Sequence, residues 1–303
     1  MRLPSFASRL AGGMLLAASM FGAATAQTAP AATEPGSGFS NKLLLTGGVT
    51  NIEGAAGGGL TPWAVIGGYG TRDEVGGGAF VTGIRFTDYT FTSAGASIGL
   101  FNRVELSVAR QTFDTRRVGQ ALGLGSGFKF HQTVLGAKVR LFGDAVLDQD
   151  SWLPQVAIGA FYKNNDRDQL VRAIGAKRDS DMEYYVSATK LFLFESLLIN
   201  ATLRLTRANQ FGILGFGGGK NDDYQLMPEA SLAYLLRKDL AIGAEYRRRP
   251  NNLGIAKEED AYDVFLAYQP WKHTSITLAY VDLGNVVIKD NQRGVYLSLH
   301  VGF

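Results

Sequence analysis

Cysteine is absent from this chain, and histidine occurs only at His131, His273 and His300. The first absence excludes a disulfide framework and thiolate metal sites. The second leaves imidazoles too few and too scattered for a metal centre, and no cofactor is expected. Proline is sparse, with 8 residues against 38 glycines. Long apolar runs are missing as well: a spanning helix needs about 20 consecutive apolar residues, and only the extreme N-terminus offers a candidate. Yet 46% of the 303 residues are hydrophobic and the mean hydropathy is +0.01, so the chain is neither a helical membrane protein nor a disordered one. A β-barrel in lipid produces such an average, because its lipid-facing residues alternate with polar residues that face the lumen.

A surplus of charge is lacking too, once the N-terminus is taken apart. Arg2 and Arg9 precede the apolar stretch 10–21, which is followed by Ala24-Thr25-Ala26 before Gln27. A basic start, a short apolar core and an A-x-A site read as a cleaved signal peptide over residues 1–26. Two of the 30 basic residues leave with it, so 28 remain against 27 acids and the formal +3 falls to +1. Nothing in that balance points to nucleic acid. Residues 27–41, rich in Ala, Pro, Gly and Thr, read as a flexible periplasmic linker, and the barrel is expected over 42–303.

What the chain does have is a period of two. In Leu197–Thr206 the apolar positions 197, 199, 201, 203 and 205 alternate with Asn200, Thr202, Arg204 and Thr206, so one face meets lipid and the other water. The segments 133–141, 240–247 and 262–269 follow the same rule. Their length of about ten residues suits a tilted membrane strand better than the five or six of a soluble sandwich. Short links at 102–103, 195–196, 237–239 and 270–273 alternate with long polar ones at 114–126, 164–181, 208–223, 250–260 and 283–292, as in outer-membrane barrels with short periplasmic turns. Gly143–Trp152 is a long link on the short side. The expected fold is therefore all-β, a transmembrane antiparallel up-and-down β-barrel of 12 to 14 strands. The higher count requires a strand over Lys42–Thr50, and the glycine-rich region 54–88 is hard to divide.

The C-terminus adds a specific sign. Val295, Leu297, Leu299, Val301 and the terminal Phe303 share one face, which resembles the signal read by the barrel-assembly machinery. Strand direction puts Tyr162, Tyr246, Tyr262 and Tyr280 toward the outer interface and Trp152 and Trp271 toward the inner one, forming two aromatic girdles.

The stretches Ile52–Ala64, Val139–Ala145 and Asp148–Gln155 resemble an uncharacterised Gram-negative family of unknown function predicted to form outer-membrane β-barrels. That resemblance implies export and a barrel, and carries no activity, ligand or catalytic residue.

Catalytic patterns are weak. Gly212–Asn221 lacks the first glycine and the hydroxyl residue of a phosphate loop and reads as a mobile outside loop. A lipid hydrolase would need a Ser and a His within hydrogen-bond reach; Ser126 and His131 are the candidates, without a G-x-S-x-G. The acidic clusters at 166–168, 179–181, 222–223 and 258–260 do not have the spacing of a calcium loop. Arg116, Arg117, Arg248 and Arg249 could meet lipopolysaccharide phosphates.

By parity the lumen should contain Arg85, Lys138, Arg140, Lys163, Arg204 and Arg247 opposed by Glu105, Glu229, Glu245 and Asp263. Charges on a pore wall set its selectivity, and the cationic excess favours anions mildly. The functional expectation is a passive outer-membrane channel for small solutes, not an enzyme, with outer-membrane lipid and lipopolysaccharide around it. A non-conducting structural or surface-interaction barrel with a plugged lumen is the alternative, and a lipid hydrolase a third. Parity also makes Leu203 a lipid-facing site intolerant of charge and Thr202 a lumen site that should tolerate it.

Overall fold

The computed structural model describes residues 47, 49–146, 152–255 and 257–303; the expected signal peptide and linker lie outside them. Twelve strands form a closed antiparallel barrel in which each pairs with its sequence neighbours and the last closes on the first. They are β1 Val75–Phe86, β2 Thr90–Leu100, β3 Val104–Asp114, β4 Lys129–Phe142, β5 Gln155–Asn165 and β6 Ser180–Phe192. The second half comprises β7 Leu197–Thr206, β8 Gln225–Arg237, β9 Leu240–Arg247, β10 Ala261–Trp271, β11 Thr274–Asp282 and β12 Arg293–Gly302. Closure leaves no unpaired edge, which lipid would not tolerate. Its seam runs from Gly78 opposite Gly302 to Phe86 opposite Gly294.

Alternation decides which face is which. Along β7, Ile199, Leu203 and Leu205 are exposed while Asn200, Thr202, Arg204 and Thr206 are buried. Val81, Val108, Leu135, Ile158, Val186, Leu232, Val264, Leu278 and Leu297 continue the exposed apolar face around the barrel, the surface a transmembrane barrel presents to hydrocarbon. Short turns at 101–103, 193–196, 238–239 and 272–273 lie at one end, with residues 143–146 and 152–154. Long loops at 115–128, 166–179, 207–224, 248–260 and 283–292 lie at the other, together with the brief link 87–89.

Of the counts left open by the sequence, twelve is the one observed. The segment ahead of β1 runs through the barrel. Residues 49–70 are buried throughout and form a tongue that enters at the short-turn end, climbs, turns back and leaves where it entered. At its base the Gly68 amide donates to the Gly47 carbonyl at 2.9 Å. Near its tip the Ile52 amide donates to the Gly59 carbonyl at 3.0 Å. Val49 and Thr50, expected in a strand, belong to this tongue; Lys42 to Thr46 lie outside the described residues. The run of glycines lets backbone approach backbone. A Cβ on Gly57 would strike the Thr61 carbonyl oxygen, and one on Gly58 the Glu245 carboxylate.

The tongue packs apolar side chains at both ends of the lumen. Toward the loops, Ile52 and Leu60 lie among Ile84, Phe86, Phe113 and Leu283. Toward the turns, Val49 and Trp63 lie among Leu191, Leu198, Phe265 and Ala267.

A filled lumen changes one expectation about charge tolerance. Leu203→Arg, placing a charge in lipid, should destabilise the barrel by ~2–4 kcal/mol near the bilayer midplane. Thr202 is not water-exposed: its hydroxyl donates to the Pro62 carbonyl at 2.9 Å. Thr202→Arg should therefore expel the tongue, making residues 49–70 protease-sensitive while the barrel keeps its heat-modifiable mobility. Equal sensitivity of the tongue in both variants would contradict this assignment.

Candidate functional site in the lumen

A peptide chain threaded through a barrel cannot leave its amides and carbonyls unpaired, and because the tongue is not a strand of the sheet, the wall's side chains must supply partners. Nearer the turns, Lys138 and Glu105, cross-strand neighbours on β4 and β3, form an ion pair at 3.0 Å. Glu105 accepts from the amides of Ala56 at 3.1 Å and Gly67 at 2.7 Å, and Lys138 donates to the carbonyls of Ala56 at 3.1 Å and Val65 at 2.8 Å. Glu245 on β9 accepts from the Leu60 amide and the Thr61 hydroxyl, both at 2.7 Å. Ser231 accepts from the Trp63 indole at 2.9 Å. The side chains of Ser93 and Gln111 both donate to the Ile52 carbonyl at 2.8 Å.

Nearer the loops the tongue delivers one charge into a cage. Glu53 is the sole charged residue between Thr50 and Gly70, and its carboxylate is wholly buried among Lys163, Arg204 and Arg247 at 2.6, 2.9 and 2.9 Å. Glu183 pairs with Lys163 at 2.6 Å and Arg204 at 2.9 Å, and Glu229 with Arg204 at 2.5 Å and Arg247 at 3.2 Å. Three cations therefore face three carboxylates. The Arg204 guanidinium also lies over the rings of Phe161 and Tyr185, at 5.3 and 5.8 Å from their centroids, positions that favour a cation.

From the loop side, residues 208–218 are buried and fold inward as a lid. The Phe211 carbonyl accepts from Lys163 at 3.0 Å and Gln132 at 3.1 Å, and its ring lies under Arg247 and Arg249 at 4.6 and 5.1 Å. Gln210 and Phe211 both adopt left-handed backbone, with φ of 46° and 61°, a strained choice for side-chain-bearing residues. Anchors hold it. Glu258 accepts from the Gln210 amide at 2.9 Å, and Arg249 donates to the Gln210 side-chain oxygen at 3.1 Å. The mobile outside loop expected here is thus an ordered, inward-packed one, because Phe211, Ile213 and Leu214 bury apolar surface in the lumen.

Eight sequence-derived lumen residues are buried inside: Glu105, Lys138, Lys163, Arg204, Glu229, Glu245, Arg247 and Asp263. Asp263 stands directly across from Glu245. Arg140 faces the same way at the turn end, 3.7 Å from Asp144. Arg85 lies on the opposite face and is exposed: the inward positions of β1 near the loops are Ile84 and Phe86, which pack on the apolar tip of the tongue. The polar-in rule fails there because the lumen holds protein instead of water.

Val295, Leu297, Leu299, Val301 and Phe303 are exposed, and the Phe303 carbonyl receives the Tyr69 amide at 2.9 Å. Trp152, Trp271, Tyr162, Tyr262 and Tyr280 are exposed, and Tyr246 is partly covered with its ring 5.2 Å from Tyr262. His131 pairs with Thr112 at 2.9 Å, whereas Ser126 donates to the Arg116 carbonyl at 3.4 Å, so the structure does not assemble them as a catalytic pair. Arg249, expected at the lipopolysaccharide surface, is buried beneath the loops; Arg117 and Arg248 are exposed and Arg116 partly so. Sequence reasoning missed Glu53, Glu183 and Glu258. A lone carboxylate within a glycine-rich apolar run was the available signal for the first.

The fold and site define a closed twelve-stranded barrel with a charged, internally plugged lumen. The chain belongs to the family described as protein of unknown function DUF3034, whose model matches residues 46–300. No curated protein matches it significantly. Among solved structures it is similar to the KdgM porin, with a TM-score of 0.48 and 12% identity over 75% of this chain and 99% of that one. The NanC porin gives 0.46 and 12% over 74% and 98%. Outer membrane phospholipase A from Escherichia coli gives 0.41 and 12% over 74% and 92%. At those identities the likeness is one of barrel fold.

Two outcomes follow from the site. Arg204→Met leaves buried carboxylates short of their shared cation and should cost ~3–5 kcal/mol in denaturant unfolding, while Arg85→Met on the outer face should change stability little. Burial pushes the Glu258 carboxyl up to about 7 despite the pull of Arg249. A raised carboxyl pKa means the docked loop holds the proton more tightly than the released one. The stabilisation is therefore present below the ordinary carboxylate range and is lost as pH rises through about 7. Hydrogen exchange at the Gln210 amide should be slower at low pH than at high pH, after correction for intrinsic rates, and Glu258→Gln should flatten the profile.

Proposed function

We propose that this protein is an outer-membrane channel for small solutes, held shut by its own residues 49–70. The observation that carries this reading is the tongue: it occupies a charged lumen yet contributes nothing to the strand ladder. A twelve-stranded barrel is wider than the eight-stranded kind that side chains alone can fill, so water or protein must occupy it. Withdrawing the tongue breaks its hydrogen bonds to wall side chains and the bond from the Tyr69 amide to the Phe303 carbonyl, but none of the twelve strand pairings. It leaves as it entered, through the short-turn mouth.

The charges argue in the same direction. Buried ion pairs roughly break even against apolar packing of equal volume. A lumen selected for stability alone has little use for Lys138, Lys163, Arg204 and Arg247 with their carboxylate partners. A lumen that is at times wet does. Outer-membrane lipid and lipopolysaccharide surround the barrel in this reading, with the exposed Arg117 and Arg248 near the phosphates.

The apolar packing of Ile52, Leu60 and Trp63 favours a second reading, a permanently sealed structural barrel. Planar-bilayer conductance separates the two. The full chain should be nearly silent and a variant lacking residues 49–70 should conduct. Since the chain has no cysteine, Thr61→Cys with Ser231→Cys, whose hydroxyls meet at 2.5 Å, gives a clean lock: openings of the full chain should vanish on oxidation and return on reduction. A folded, silent deletion variant would leave the structural barrel as the answer.

A further inference from the structure

We infer that the cage around Glu53 is a binding site for the carboxylate of a small organic anion, and that Glu53 occupies it as a built-in surrogate. Access of such a solute rests on the channel reading above; the site itself does not.

The geometry selects a carboxylate. One oxygen of Glu53 accepts from Lys163 Nζ at 2.6 Å and Arg247 Nη2 at 2.9 Å, and the other from Arg204 Nη2 at 2.9 Å. Planar guanidinium groups converging on two oxygens match a carboxylate better than a spherical ion such as chloride.

The cage has supports of its own besides its occupant. Arg204 is held by Glu183 and Glu229, and Glu183 in turn accepts from the Thr206 hydroxyl at 2.5 Å. With Glu53 gone, Lys163, Arg204 and Arg247 face only Glu183 and Glu229 across the cage. That leaves one uncompensated positive charge in a pre-organised pocket. A buried charge stripped of its partner is strongly unfavourable, so Glu53 is best released by exchange, one carboxylate entering as the other leaves. Lys163 lies where such an exchange would act on both closures, since its ammonium binds Glu53 of the tongue and the Phe211 carbonyl of the lid.

Chemical rescue tests the site. Acetate replaces the methylene and carboxylate that Glu53→Ala removes. Sodium acetate should raise the thermal transition of E53A saturably, by several degrees once well above its dissociation constant. Acetamide, and sodium chloride at equal ionic strength, should not. Equal effects of acetate and chloride would overturn the inference.

A second measurement does not depend on E53A folding. In the variant lacking residues 49–70, acetate should permeate in preference to chloride by bi-ionic reversal potential. The charge-matched pair Lys163→Met with Glu183→Gln removes one of the three donors to the carboxylate and should weaken that preference. Conduction without preference for acetate overturns the inference and leaves the channel reading standing. A silent deletion variant together with acetate rescue of E53A supports the site and removes the channel.

Discussion

Every peptide group inside the lumen must be hydrogen-bonded, and the rest of the structure is arranged around that constraint. A segment without strand partners brings unpaired amides and carbonyls into a space screened from water, where each would be costly if left alone. The wall answers with long polar side chains: Glu105 takes two amides, Lys138 takes two carbonyls, and Glu245 takes an amide and a hydroxyl. These residues sit on β3, β4 and β9. The tongue is thereby held from several sides of the barrel.

The same constraint couples the two closures. Lys163 donates to Glu53 and Glu183 and to the Phe211 carbonyl, so the outer lid and inner tongue share one ammonium. Arg247 likewise donates to Glu53 and to the Leu60 carbonyl and lies over the Phe211 ring. The lid's backbone is strained at Gln210 and Phe211, and Glu258 and Arg249 hold it in place. Weakening either closure therefore changes the electrostatic environment of the other.

Much of the barrel was legible in the chain. Alternation along β7 marked Ile199 and Leu203 as outward and Thr202 and Arg204 as inward, and the structure places them so. Turn and loop lengths gave the two ends. Parity failed at Arg85 because it assumes a wet interior, whereas Ile84 and Phe86 face an apolar tongue tip. The glycine-rich stretch resisted division for a related reason. Residues 49–70 carry no period of two, since they obey the contacts of a tongue surrounded on all sides. Glu53 was visible only as one letter of a family-like motif, and its cage is assembled from β5, β6, β7, β8 and β9, so no local pattern could report it.

The sequence by itself determined the class of structure: strands of the right length, their faces and their alternating connections, all of which follow from the two-residue repeat of an extended chain. Whether the enclosed space is open, and what the inward charges face, was decided only in three dimensions. An inward lysine has the same parity in an empty pore as in a filled one. The difference lies in partners more than a hundred residues away in the chain, as Lys163 and Glu53 are, and only closure of the barrel around the tongue brings them within 2.6 Å.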